Sequence, residues 1–77
     1  MKLTVYYPTS GEGAYYWGAL DADIVQAAGK LDSSRGTDMS RGTRFLVFIY
    51  SSEATARNAR KRVLALHRKG LRTEVTR

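Results

Sequence analysis

The stretch RFLVFIYSSEATARNARKRVLALHRKGLRTEVTR, residues 44 to 77, decides the fold. Its opening RFLVFIY (44–50) is apolar after the arginine and rich in aromatic and β-branched residues, the pattern of a central strand covered on both faces. Ser51 or Ser52 then offers an N-cap, Glu53 sits where the helix dipole favours an anion, and Gly70 supplies a left-handed stop. The spacing predicts a helix over 52–69. At 100° per residue Ala56, Ala59, Val63 and Leu66 share one stripe, which must face the sheet. The remaining LRTEVTR (71–77) alternates Leu71, Thr73 and Val75 with polar residues and reads as an edge strand.

Upstream, KLTVYY (2–7) alternates Leu3, Val5 and Tyr7 with Lys2, Thr4 and Tyr6, the period of a half-buried strand, and Pro8 ends it. TSGEG (9–13) is turn chemistry. The aromatics of AYYWGAL (14–20) suit a second strand folded back as a hairpin, although Trp17, Leu20, Ile24, Ala27 and Leu31 also fall at helical spacing. Glycines at 11, 13 and 18 favour the hairpin, since glycine costs a helix interior about 1 kcal/mol. DADIVQAAGKL (21–31) places Ile24, Ala27, Ala28 and Leu31 on one stripe of a short helix, with Asp21 as its N-cap. DSSRGTDMSRGT (32–43) breaks all periodicity, contains SRGT twice, and reads as a flexible polar loop presenting Arg35 and Arg41.

These elements make one α+β domain over residues 1–77, with a sheet of about four strands and two helices on one face, ferredoxin-like or related to the split βαβ unit. A chain of this length hides only about 60% of the surface it would expose unfolded, so help from a partner or a second copy would be unsurprising. With no cysteine there is no disulfide and no thiolate zinc site, which fits a reducing compartment. No apolar stretch approaches the roughly 20 residues of a membrane span, and the expected location is cytoplasmic.

Net charge is +6, unevenly spread. Residues 1–40 hold three cations against five carboxylates, and residues 41–77 hold ten against two. Such asymmetry argues for association with polyanions or acidic surfaces. On the helical wheel Arg57, Lys61 and Arg68 fall within about 40° of one another, flanked by Leu64, with Arg62 and Lys69 on the other shoulder. A solubilising face usually mixes both signs, whereas here no carboxylate follows Glu53 within the helix. The face formed by Arg57, Lys61, Arg62, Leu64, Arg68 and Lys69 is therefore a candidate partner-binding site, set against the alternative that it is merely solvated. Arg35 and Arg41 are candidate loop contacts to phosphate.

Tyr6, Tyr7, Tyr15, Tyr16, Trp17 and Tyr50 could form a stacking platform for bases, but core packing accounts for most of them, and no ribonucleoprotein-type motif accompanies them. GEG (11–13) lacks the lysine and spacing of a phosphate loop. His67 has no second histidine or cysteine to complete a metal site. Asp21 and Asp23, two apart, do not face each other for acid–base work. No nucleophile, base and oxyanion set assembles, so no enzyme activity, cofactor or metal is expected.

The span Phe45–Val75, with YSS (50–52) followed by Ala59, Leu66, Gly70 and Val75, resembles the second half of SPOR-type peptidoglycan-binding domains, which implies a split βαβ shape. In overall profile, with one small domain, no cysteine, no catalytic set and a concentrated charged surface, the chain resembles the small anti-CRISPR proteins of phages and mobile elements. That resemblance implies a non-enzymatic inhibitor. It would dock its basic helix on an acidic surface of a nucleic-acid-handling effector complex and block target DNA binding. The alternative is direct, largely sequence-independent nucleic-acid binding. Monomer and homodimer both remain open.

Overall fold

A computed structural model describes all 77 residues of the chain. The elements run β1 (Lys2–Pro8), α1 (Asp21–Ala28), β2 (Ser34–Asp38), β3 (Thr43–Ile49), α2 (Glu53–Leu64) and β4 (Arg72–Thr76). All neighbouring strands are antiparallel and lie in the order β2-β3-β1-β4. This is the split βαβ arrangement, with β1 and β3 at the centre and β2 and β4 at the edges.

Strand alternation decides which residues meet the helices. Leu3, Val5 and Tyr7 of β1 pair across the ladder with Phe48, Leu46 and Arg44 of β3, so all six share one face. Ile24 and Ala28 of α1 and Ala56, Ala59 and Val63 of α2 close over that face. The stripe read from α2 is thus the buried one, and its alanines let the helix sit close. Ser52 caps α2: its hydroxyl accepts from Thr55 N, while Ser52 N donates to the Thr55 hydroxyl.

The structure corrects four expectations. Residues 14–16 are irregular and 17–20 form a turn, so there is no strand here. The fourth strand comes instead from the segment read as a flexible loop: Ser34–Asp38 pairs with Thr43–Val47 as a hairpin. Composition hid it, because the Asp38 carboxylate organises the turn by accepting from Ser40 N, the Ser40 hydroxyl and Arg41 N, and Gly42 takes φ 61°. Both helices also end early. Gly29 stops α1 at φ 79°, leaving Leu31 exposed, and α2 stops at Leu64. After it the chain turns through His67 at φ 52°, and Gly70 packs so near Pro8 that a Cβ would lie 2.9 Å from its ring. Finally, β3 is covered on one face only: Phe45 and Val47 are half-buried and Ile49 is exposed.

Candidate functional site

The face of the sheet turned away from the helices has no covering layer. The ladder places Tyr6 of β1 directly opposite Phe45 of β3, with Gly36 of β2 beyond Phe45 and Arg72 of β4 beyond Tyr6. One row across the sheet therefore reads glycine, phenylalanine, tyrosine, arginine. The Arg72 guanidinium lies over the Tyr6 ring, 5.1 Å from its centroid, within cation–π range. The Phe45 ring lies down on Gly36, where any Cβ would come within 2.9 Å of it. Beside these rings Tyr6, Asp38, Arg41, Thr43, Phe45 and Arg72 line a hollow of about 110 Å³. Val47 and Thr4 form the next row, and Lys2 and Ile49 the one after.

Tyr6 and Phe45 are half-buried on this face, the one beneath Arg72 and the other against Gly36, and the arginines at the rim supply the cations that a base-stacking surface needs. Asp38 is the one carboxylate in the hollow. Hydrogen bonds from Ser40 hold its pKa below the usual carboxylate range, and its oxygens are engaged by Ser40 and Arg41.

Of the stacking candidates read from sequence, Tyr6 stands on this face. Tyr7 is buried, Tyr15 packs edge-on against it, and the Tyr50 hydroxyl donates to the Ala28 carbonyl. Phe45 and Arg72 were missed: Phe45 lies in an apolar run read as covered on both faces, and Arg72 in a segment read only for the alternation of Leu71, Thr73 and Val75.

The basic helix face is less free than its wheel implies. Arg62 reaches across to α1: its Nε donates to the Ala27 carbonyl at 2.8 Å and its Nη2 to the Ala28 carbonyl at 3.1 Å, capping that helix. Arg57 pairs with Glu53 at 3.6 Å, and Arg68, beyond the end of α2, pairs with Asp23 at 3.5 Å. Lys61 and Lys69 stand without a side-chain partner, and Leu64 is 37% exposed. Arg35 is likewise committed, to Asp32 and Asp21. Arg41 reaches Asp38 at 3.7 Å with its side chain 83% exposed.

Asp21 is not an N-cap; Leu20 holds that place without a side-chain bond. It is the buried hub of a polar cluster, accepting from the Tyr7 hydroxyl at 2.7 Å, Arg44 Nη2 at 2.7 Å and Arg35 Nη1 at 3.2 Å. Burial alone would raise its pKa, but the bonds from Arg44 and Tyr7 outweigh it and hold the carboxyl below its usual range. Burial, with the bond to Asp21, pushes the Tyr7 phenol up. Every member is spoken for internally, so the cluster fixes the β1–α1 loop against the sheet and offers no free acid or base.

No group of three or more histidine, cysteine, aspartate or glutamate residues gathers to hold a metal ion, and no helix is long and apolar enough to cross a membrane. Comparison with protein families, with curated proteins and with solved structures finds no match for the chain.

Proposed function

We propose that the protein is a non-enzymatic module that binds single-stranded nucleic acid on the open face of its sheet, with little regard to sequence. The observation that carries this reading is the Tyr6–Phe45 pair, side by side on the two central strands of an uncovered sheet, with Arg72 and Arg41 at its rim. Two bases stack on the two rings while the arginines meet the phosphates. Sequence preference is small because the hollow's only carboxylate is already engaged by its own turn.

Fluorescence anisotropy with labelled single strands of about six nucleotides tests this. Tyr6→Ala and Phe45→Ala should each weaken binding about tenfold, the loss of about 1.4 kcal/mol of stacking. Lys61→Ala should change it less than about twofold. With two or three phosphates neutralised, log K should fall against log salt with a slope of about −2. Absence of binding at low salt, or equal losses from the sheet and helix variants, overturns the reading. An anti-CRISPR-like inhibitor docking the α2 face on an acidic effector surface is the second reading. It rests on Lys61, Lys69 and Leu64, which remain free after Arg62 is taken up by α1.

A further inference from the structure

Tyr16 and Trp17 are 78% and 53% exposed, yet they stack on each other with ring centroids 5.9 Å apart and planes inclined by 17°. Their backbone is clamped. Gly18 N donates to the Tyr7 hydroxyl at 2.8 Å, Tyr15 N to the Pro8 carbonyl at 3.0 Å, and the Tyr15 hydroxyl to the Lys69 carbonyl at 3.0 Å. The Trp17 ring lies 5.7 Å from the Arg44 guanidinium, which Asp21 and Thr37 hold in place. Two large rings stacked in water on a fixed backbone leave apolar surface that a flat partner could cover.

Their place in the fold says what that contact is. Arg44 and Phe45 are consecutive on β3 and point to opposite faces, so Trp17 stands across the start of β3 from the Tyr6–Phe45 pair. The β2–β3 turn sits at this end of the sheet: Thr9 N donates to the Gly42 carbonyl at 2.7 Å, and the exposed Arg41 lines the hollow with Tyr6 and Phe45. The carboxylates on this side are neutralised: Asp21 by Arg44 and Arg35, and Asp32 by Arg35.

We infer that Tyr16 and Trp17 form a second stacking platform for the same polynucleotide. The strand leaves the sheet, passes the rim with a phosphate on Arg41, and lays a further base on the exposed pair. This rests on the sheet-face reading above and extends the site from the sheet over one end of the molecule.

Trp17 is the only tryptophan, so its emission reports on this platform alone. The experiment titrates the full chain with oligothymidylates of about three and about eight nucleotides, following the anisotropy of a label together with tryptophan emission. The short strand should bind without changing the emission, and the long strand should bind more tightly and quench it. Trp17→Leu and the more exposed Tyr16→Ala should each weaken the long strand by about fivefold and leave the short strand unchanged. Unchanged melting of either variant shows that the fold is kept. Binding of both strands with constant emission and unaltered affinities in both variants overturns the inference while leaving the sheet reading intact. Failure of both strands to bind the parent protein overturns both readings.

Discussion

Asp21 shows how much one side chain can hold in a small domain. It and Arg44 are about nine-tenths buried as a pair, and breaking such a pair by removing one partner costs about 3–5 kcal/mol, a large part of the total stability of any domain this size. Asp21→Asn should therefore lower the melting temperature sharply, and Asp21→Asn combined with Arg44→Met should recover part of the loss. The pH dependence follows from the directions of the shifts. Asp21 lies below its ordinary 3.8, so its contribution is whole above that value and is lost as pH falls through its folded pKa. Tyr7 lies above its ordinary 10.0, so its contribution is whole below that value and is lost as pH rises through its folded pKa. Thermal melts should be flat from about pH 5 to 9 and fall on both sides, with Tyr7→Phe reducing the alkaline fall, the rest coming from Tyr50, whose phenol burial also pushes up. Neither role was legible in the sequence, where Asp21 before an apolar stripe has the form of an N-cap. Only the inward phase of Arg44, set by register with Tyr7, brings the two together. Gly36 is a second such residue. Gly36→Val should keep the fold, since valine suits a strand, but should lift the Phe45 ring and weaken oligonucleotide binding severalfold in the anisotropy titration.

At the scale of elements, periodicity served where a burial stripe existed and failed where side chains cross between elements. Of the stripe Ala56, Ala59, Val63 and Leu66, the first three are buried and Leu66, beyond the end of α2, is half-buried against the core, and Val63→Asp should unfold the domain by burying an unpaired carboxylate; a cooperative melt near that of the parent would contradict the packing. β1, β3 and β4 were legible from alternation and apolar runs. β2 was not, because a strand of SRGTD at a sheet edge buries little and its turn is made by the Asp38 side chain. The ends of α2 and the role of Arg62 were hidden for a related reason: a wheel shows the face of one helix and not the carbonyls of the next. Arg62→Ala should cost about 1 kcal/mol by uncapping α1, whereas Lys61→Ala should stay within about 0.5 kcal/mol, a contrast that paired thermal melts resolve.

For the molecule as a whole, two surfaces compete to explain the excess of cations in residues 41–77. The charge run in α2 is conspicuous in the sequence, but folding matches Arg57 and Arg68 with carboxylates and bonds Arg62 to the last carbonyls of α1. The sheet face is inconspicuous in the sequence, since Tyr6, Phe45 and Arg72 lie in three separate segments. Only the strand order β2-β3-β1-β4 sets them in one row. The apolar run of β3 was taken to mean cover on both faces, whereas in the fold Phe45, Val47 and Ile49 lie on the face that the helices leave open. The most direct measurement is an amide-resolved NMR titration of the protein with a short single-stranded oligonucleotide at low salt. The largest shifts should fall on Thr4, Tyr6, Phe45, Val47 and Arg72, with α2 nearly silent. Shifts concentrated on Arg57, Lys61 and Leu64, with the sheet unmoved, would contradict the account.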